Sequence, residues 1–192
     1  MLFGGGERKL TYERLFYQLI QRGRNKGRIY GFPMIKGAWC NSKLKVSALD
    51  SIAKVNNGKH IIQYLGIAAD EPERIKRHTV PGKCLPLVDI GWDEAYCRCW
   101  CEENNLLSPI YTTAQRGGCW FCHNQGVDQL RLLRRNYPKL WSLLLKWDLD
   151  SPICFRPDGH TVHDFDKRFA MEESGKIPTN RKFRWKMLQT KE

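Results

Sequence analysis

Three cysteines have the side chain and the spacing of a metal or cluster site. Cys119 and Cys122 form a C-x-x-C pair inside GGCWFC, and 78 residues separate Cys40, in WCNSKLK, from this pair. A C-x-x-C on a glycine-preceded loop places two thiolates where one metal ion can bridge them. We therefore predict that Cys40, Cys119 and Cys122 converge as metal ligands. A buried thiol pair or a redox couple is the alternative for the C-x-x-C alone.

The identity of the cofactor depends on a fourth ligand. Tetrahedral zinc needs four donors, and His123, adjacent to Cys122, is the first candidate for the fourth. The other candidates are Cys84, Cys101 and Cys154. A [4Fe-4S] cluster could instead leave one iron open. The expected cofactor is zinc or a [4Fe-4S] cluster.

The surroundings of Cys40 favour a thiolate. A helix is predicted to begin just after it, and Lys43 and Lys45 follow closely in the sequence. A helix N-terminus and nearby cations both lower the pKa of a thiol. We therefore expect the pKa of Cys40 to lie below its ordinary value.

Three further cysteines lie two residues apart in a predicted helix. Cys97 and Cys101 share a face of that helix, while Cys99 points elsewhere. They cannot all bind one metal without breaking the helix. We interpret them as core or partly exposed thiols, because cysteine is among the most buried residue types.

The chain is strongly basic, with a formal charge of +12 and a pI near 9.4. Such a balance favours an anionic partner, either nucleic acid or a phosphorylated nucleotide. A run of cations lies beside Tyr30 and Phe32, a mixture that suits phosphates and stacked bases. The predicted phosphate-binding or nucleic-acid-binding residues are Arg22, Arg24, Lys26, Arg28, Lys36, Lys43, Arg74 and Arg116. A solvated basic loop is the alternative for the first four.

Composition also limits the location. The apolar runs are far shorter than the ~20 residues of a membrane span, and MLFGGGERKL lacks the pattern of a secretory signal. Eight cysteines without an export signal indicate thiols, metal ligands or redox chemistry rather than structural disulfides. The sequence predicts a cytoplasmic protein with no membrane association.

The elements that must position these residues alternate between helix and strand. Apolar spacing predicts helices before and after the cysteine motifs, and HIIQYLGI reads as a strand buried on both faces of a parallel sheet. The predicted helices are 11–21, 42–55, 70–77, 92–105, 127–137 and 138–147, and the predicted strands are 60–67 and 85–90. Asp158, His160, His163 and Asp164 are expected mainly to form turns and caps. The fold class is α/β.

Four segments also carry a family likeness. In chain order GAWCNSKLK, LGIAADEPERIKR, PLVDIGWDEAYCRCWCEENN and RGGCWFCHNQ resemble the phosphoadenosine phosphosulfate reductase family, part of the adenine-nucleotide α-hydrolase-like group. The resemblance covers about residues 31–148. It implies a partial Rossmann-like parallel sheet, and Cys40, Cys119 and Cys122 fall on positions that resemble the family's cluster ligands.

The departures from that family are informative. Trp39 and Asn41 flank Cys40 where cluster-bearing members have paired cysteines, and Ala68 replaces an arginine of the family's GIRADES-like segment. The SGGxDS-type phosphate loop has no counterpart, since Gly4 to Gly6 precede a helix without a preceding strand. The resemblance therefore implies a chain that corresponds to the later two thirds of such an enzyme and is not an autonomous nucleotide-dependent catalyst.

Three regions follow from this resemblance. Residues 1–125 correspond to a truncated α/β core, 126–178 to a helical extension that covers the metal site, and 179–192 to a basic tail that is expected to order on binding. A nucleotide-binding partner protein is one implied partner. The alternative is a zinc-stabilised nucleic-acid-binding module, or an inhibitor or adaptor built on a degraded enzyme scaffold.

Overall fold

The protein is α/β, with helices throughout and one small parallel sheet. A computed structural model describes residues 10–33, 38–56, 58–112, 117–180 and 182–189. Contacts divide the chain into a first unit, residues 1–48 with 118–192, and a second unit, residues 49–117. This division differs from the predicted boundary at residue 125, because the N-terminal segment packs with the C-terminal helices. Gly4 to Gly6 lie outside the described residues.

The first unit begins with a short helix followed by a hairpin. Helix α1 spans Tyr12–Phe16, with Thr11 as its N-cap. The predicted helix to residue 21 is therefore too long. Backbone N–H groups of Ile20 and Gly27 donate to Arg28 and Ile20 across an antiparallel bridge. Positive φ angles at glycines within the loop explain why the chain turns back here instead of continuing as helix.

The segment that contains Cys40 is helical with an irregular centre. Helix α2 spans Trp39–Asn41, a π-helical stretch covers Ser42–Val46, and α3 spans Ser47–Val55. The prediction placed Cys40 just before the helix, whereas it lies in the first turn. The predicted end near residues 56–58 agrees with the observed end at Val55.

Three longer helices complete the first unit. Helix α7 spans Val127–Asn136, α8 spans Pro138–Asp150 and α9 spans Val162–Glu173. Pro138 occupies the first turn of α8, as predicted, because its missing N–H is not needed there. Thr161 and Asp164 form a reciprocal capping box at the start of α9, which confirms the predicted capping role of that segment.

The basic tail packs on α9. A 3₁₀ turn spans Trp185–Gln189, and Phe183 and Leu188 are buried. The Arg168 guanidinium lies 3.7 Å from the centre of the Phe183 ring. The expectation that the tail orders only on binding is therefore wrong for residues 182–189.

An aromatic core holds the first unit together. Phe16, Phe32 and Phe155 are fully buried and meet edge to face at 5.1 to 5.4 Å. Trp147 of α8 stacks on Phe16 at 5.5 Å. Such aromatic pairs contribute about 0.5–1.5 kcal/mol each beyond the area they bury. This core lies beneath the segments that carry the three predicted ligands.

The second unit contains a βαβ arrangement. Strand β1 (Gln63–Tyr64) pairs in parallel with β2 (Lys83–Cys84), and α4 (Pro72–His78) lies between them in sequence. Helix α5 spans Pro86–Asp89, a segment that was predicted to be extended.

The rest of the second unit is helical. Helix α6 spans Glu94–Glu103 with Asp93 as its N-cap, close to the prediction, and a 3₁₀ turn covers Pro109–Thr112.

The predicted doubly buried strand at 60–67 is wrong in length and burial. Only two of its residues form β1, and Tyr64 is 71% exposed. Ile67 and Ala68, which follow the strand, are buried instead. The sheet has two strands among the described residues, and both residues of β1 are exposed.

The described residues contain no helix with the length and apolar character needed to cross a lipid bilayer.

Candidate metal centre

The C-x-x-C segment forms a hydrogen-bonded turn. The backbone N–H of Cys122 donates to the carbonyl of Cys119 at 3.0 Å, and the N–H of Gln125 donates to Cys122 at 3.0 Å. The Gln125 side-chain amide also donates to the Cys119 carbonyl at 2.9 Å. These bonds fix the loop that holds both thiols, as the glycine-preceded C-x-x-C pattern predicted. Cys119 is exposed and Cys122 is half-buried.

Cys40 approaches this turn from the other part of the first unit. Its side chain is half-buried and packs on the aromatic core together with Trp120 and Phe121, the two residues between the paired cysteines. Burial and the charges of Cys122 and Cys119 raise the pKa of the Cys40 thiol. The charges of the other two predicted sulfur ligands therefore reach Cys40, although 78 residues separate Cys40 from Cys119.

The pKa of Cys40 is raised, whereas the sequence predicted that it would be lowered. Lys45 and the backbone N–H of Asn41 lower the pKa of Cys40, but burial and the two other thiols outweigh them. Without a cation the thiol at this position stays protonated. A metal ion supplies the positive charge that would make three neighbouring thiolates stable.

Tyr12 lies beside the three cysteines, and the sequence did not indicate it. Its ring centre is 4.9 Å from that of Trp39 and 4.0 Å from that of Phe121, neighbours of Cys40 and Cys122. Burial, followed by the charges of the three thiols, raises the pKa of Tyr12 above its ordinary value. The phenol is therefore a neutral hydrogen-bond donor. In the sequence, the helical spacing of Tyr12 and Phe16 was the one feature that could have indicated that the Tyr12 ring packs on the same core as Phe16.

The half-buried Arg156 side chain donates hydrogen bonds to the loop that follows Cys122. Arg156 donates from one guanidinium nitrogen to the backbone carbonyl of His123 and from the other to that of Gln125. Its guanidinium lies 5.5 Å and 5.2 Å from the ring centres of Phe155 and Phe165. Burial lowers the pKa of Arg156, and the charges of Asp158 and, to a smaller extent, Cys122 partly oppose this. Arg156 thus places a permanent positive charge near the thiols.

His123 is in the protonation state that a metal ligand requires. Burial, followed by the charge of Arg156, lowers the pKa of its imidazole below the ordinary value. The ring is therefore neutral at pH 7, and neutral imidazole is the form that binds zinc. Its role as the fourth ligand stays a prediction.

Two buried indoles in this cluster lack hydrogen-bond acceptors. Trp39 and Trp147 are 6% and 3% exposed, and neither Nε1–H reaches an acceptor in the described part of the chain. A buried donor without an acceptor costs about 1–3 kcal/mol. By contrast, the buried Trp141 donates to Asp166 at 2.7 Å. The Trp39 and Trp147 rings both contact Tyr12, and their centres lie 4.9 and 5.3 Å from the centre of the Tyr12 ring.

The thiols are near one another without forming a coordination sphere. Within residues 10–33, 38–56, 58–112, 117–180 and 182–189, no three His, Cys, Asp or Glu side chains converge tightly enough to hold a metal ion. The donor chemistry nevertheless suits zinc or a cluster, because three thiols and a neutral imidazole are soft and borderline donors. Metal affinity can provide the free energy that draws such side chains together.

The other five cysteines lie outside the predicted set of three sulfur ligands. All eight cysteines are free. Cys97 and Cys101 lie on one face of α6, and the charge of Cys101, after burial, raises the pKa of Cys97. Cys99 points elsewhere and contacts Glu103 at 3.4 Å, which confirms the predicted arrangement. Among the alternative fourth ligands, Cys84 and Cys101 belong to the second unit and Cys154 is exposed in the first.

The predicted phosphate-binding cations fall into three groups. Four of them lie together on the exposed hairpin of the first unit, without an ion pair to any described carboxylate: Arg22, Arg24, Lys26 and Arg28. Lys43 donates to the Tyr30 hydroxyl at 2.9 Å and lies 4.2 Å from its ring centre. Arg74 belongs to the second unit and pairs with Glu71. Lys36 and Arg116 lie outside the described residues.

Comparison with known proteins finds a distant relative. An uncharacterised protein of Methanocaldococcus jannaschii is 25% identical over 141 residues, which covers 66% of this chain and 28% of the relative. The chain thus spans less than a third of that relative's length. No protein-family model matches the chain. No solved structure matches it.

Proposed function

We propose that this chain is a phosphoadenosine phosphosulfate reductase-like protein in which Cys40, Cys119 and Cys122 bind zinc or a [4Fe-4S] cluster. The observation that carries the proposal is the packing of Trp39 and Phe121, the neighbours of Cys40 and Cys122, against the one ring of Tyr12 at 4.9 and 4.0 Å. His123 is the proposed fourth ligand of a zinc ion. A thioredoxin-like couple would need only the C-x-x-C pair, so the position of Cys40 favours a metal site.

We also propose that the second unit is part of a Rossmann-like sheet. The parallel pairing of β1 and β2 with α4 as their connection is the repeating element of such folds. The exposed faces of β1 are consistent with a larger sheet, since parallel strands are normally covered on both sides.

The chain's own residues would hold and shield the group. A bound cluster would supply electron transfer or an open iron, whereas zinc would supply a structural cross-link. Arg156 fixes the loop that carries Cys119 and Cys122 through its two carbonyl contacts. Trp39 and Trp147 belong to the buried core against which Cys40 packs. The proposed substrate class is an anionic ligand that the basic surface of the first unit attracts.

Metal analysis tests this proposal directly. The protein is purified without oxygen, and zinc, iron and acid-labile sulfide are measured per chain together with the visible spectrum. Near-stoichiometric zinc without colour would establish a structural site, while iron and sulfide with a broad brown absorption would establish a cluster. A chain that retains neither metal, and that binds neither after reconstitution, would contradict the proposal.

A second candidate function is nucleic-acid binding through the hairpin of the first unit. Four cations lie on the loop between the bridged residues Leu19 and Ile29, and they are exposed. Backbone hydrogen bonds order this loop, so the charges are presented at fixed positions. Half-buried Tyr30 next to the hairpin offers an aromatic surface. Binding to phosphates by such cations gives an affinity that falls with salt.

Neutralising the hairpin is expected to weaken binding of a mixed-sequence single-stranded oligonucleotide more than tenfold. The variant replaces its four cations by glutamine, and the log–log salt slope should fall by about 0.7 for each phosphate that is no longer neutralised. Fluorescence anisotropy between about 50 and 200 mM salt measures both quantities. The matched control removes the same charge from exposed positions of the same unit, namely Arg135, Lys139, Lys167 and Lys176. Equal reductions of affinity in both variants would show that only net charge matters.

A further inference from the structure

The aromatic cluster around the cysteines contains unused hydrogen-bond donors. Trp39 precedes Cys40 in the chain, and its buried Nε1–H has no acceptor among the described residues. Trp147 stacks on Trp120 at 5.6 Å and meets Phe121 edge to face at 5.8 Å. Trp147 thus packs against both residues that separate Cys119 from Cys122. Each orphaned donor is therefore next to one of the two chain segments that carry the thiols.

The charge of a loaded site explains why donors are needed there. A dication bound by three thiolates carries one net negative charge, and so does an iron–sulfur core of charge 2+ with three thiolates. Partly buried negative charge is costly unless donors or cations stabilise it. Arg156 provides one cation near Cys122. On the aromatic side of the thiols the available polar hydrogens include the two indole N–H groups and the Tyr12 hydroxyl.

We infer that the N–H groups of Trp39 and Trp147, together with the Tyr12 hydroxyl, donate hydrogen bonds to the anionic sulfur of the metal-bound cysteines. This inference rests on the proposed metal site. Hydrogen bonds from outside the coordination sphere stabilise charge on sulfur and tune the metal. The three donors adopt this role for zinc and for a cluster alike, because both give the same net charge. They are positioning residues and take no part in coordination.

Cobalt substitution provides the test. Co²⁺ bound to thiolates gives a sulfur-to-metal charge-transfer band, and a hydrogen bond to sulfur raises the energy of that band. Tyr12→Phe removes one hydroxyl and keeps the ring, while Trp39→Phe and Trp147→Phe each remove one orphaned N–H. Each variant should shift the band to longer wavelength and weaken Co²⁺ binding, measured by chelator competition, about tenfold.

The control variant is a further Trp→Phe substitution, so it removes the same atoms as the two indole variants. Trp141→Phe shortens a buried ring of the same core, whose N–H already donates to Asp166 at 2.7 Å. It should leave the band in place. Melting temperatures of the metal-free variants report whether each protein folds, and Tyr12→Phe decides the outcome if an indole variant does not. Wild-type band position and affinity in Tyr12→Phe and in the folded indole variants would overturn the inference. Failure of the wild type to bind Co²⁺ would overturn the proposed metal site as well.

Discussion

Serine at both Cys119 and Cys122 is expected to abolish stoichiometric metal binding. Two of the three proposed sulfur ligands are removed, and even partners outside the coordination sphere contribute 10–100-fold to metal affinity, so affinity should fall by more than about 100-fold. Zinc and iron content of the purified variant, followed by competition with a chromophoric chelator, measures the effect. The wild type should also melt at a higher temperature with metal than without, a difference that the variant loses.

Cys99→Ser is the matched control for this experiment. Cys99 is an exposed thiol of α6 that contacts Glu103, and it is not among the groups whose charges shift the pKa of Cys40 or Tyr12. Its replacement should leave metal content and melting temperature unchanged. If the double serine variant keeps full metal content, the cysteine site proposed here is wrong.

Arg156→Met is expected to destabilise the first unit by about 3 kcal/mol. The guanidinium donates to the carbonyls of His123 and Gln125, and a hydrogen bond from a charged donor contributes about 1.5–3 kcal/mol. Methionine fills much of the same space between the Phe155 and Phe165 rings but offers no donor. Because five of the seven tryptophans lie in the first unit, urea unfolding followed by tryptophan fluorescence reports mainly on it.

Two further variants separate charge from hydrogen bonding. Arg156→Lys keeps the charge but cannot donate to both carbonyls with a planar fork, so an intermediate destabilisation is expected. Arg135→Met removes an exposed arginine from α7 and should change the stability by less than about 0.5 kcal/mol. A decrease of metal affinity in Arg156→Met that exceeds its decrease of stability would show that the loop must be held in place for binding. If Arg156→Met is as stable as Arg135→Met, the two hydrogen bonds to the carbonyls contribute little.

Sequence patterns predicted the helices that depend on local information. The ends of α7 and the start of α8 follow from apolar spacing and from Pro138, whose preference for a first turn is local, whereas α8 runs to Asp150, beyond its predicted end at Trp147. Helix α6 follows from its N-cap Asp93 in the same way. These elements need no knowledge of distant residues, which is why their prediction is confirmed.

Other features depend on distant pairings that no local pattern contains. The helix predicted through residue 21 stops at Phe16 because the chain folds into a hairpin whose partners are Leu19 and Ile29. The apolar run 60–67 has strand composition, but a strand extends only as far as it has a partner, and β2 offers two residues. Pairing with residues distant in sequence determined both outcomes.

In the candidate site, too, local sequence patterns predicted some features and missed those that depend on distant residues. The C-x-x-C spacing selected Cys119 and Cys122, whereas a predicted helix start and the family resemblance selected Cys40, and in the structure the charges of the first two raise the pKa of Cys40. The direction of the Cys40 pKa shift was predicted wrongly, because the charges that decide it come from residues far away in sequence. The sequence did not predict a role in the site for Tyr12 or Arg156, since each acquires its role only through packing with residues far away in sequence.

The first unit is discontinuous in the chain, and this affects the order of events during protein synthesis. Cys40 is added to the growing chain before the 78 residues that precede Cys119 are translated. At about 5–20 residues per second this delay lasts roughly 4–16 seconds. Throughout that interval the nascent chain holds one thiol of the site without its neighbours, and α8 has not yet delivered Trp147. Assembly of the proposed metal centre must therefore follow translation of Cys122, and a chain that stalls between Cys40 and Cys119 holds Cys40 without the C-x-x-C pair.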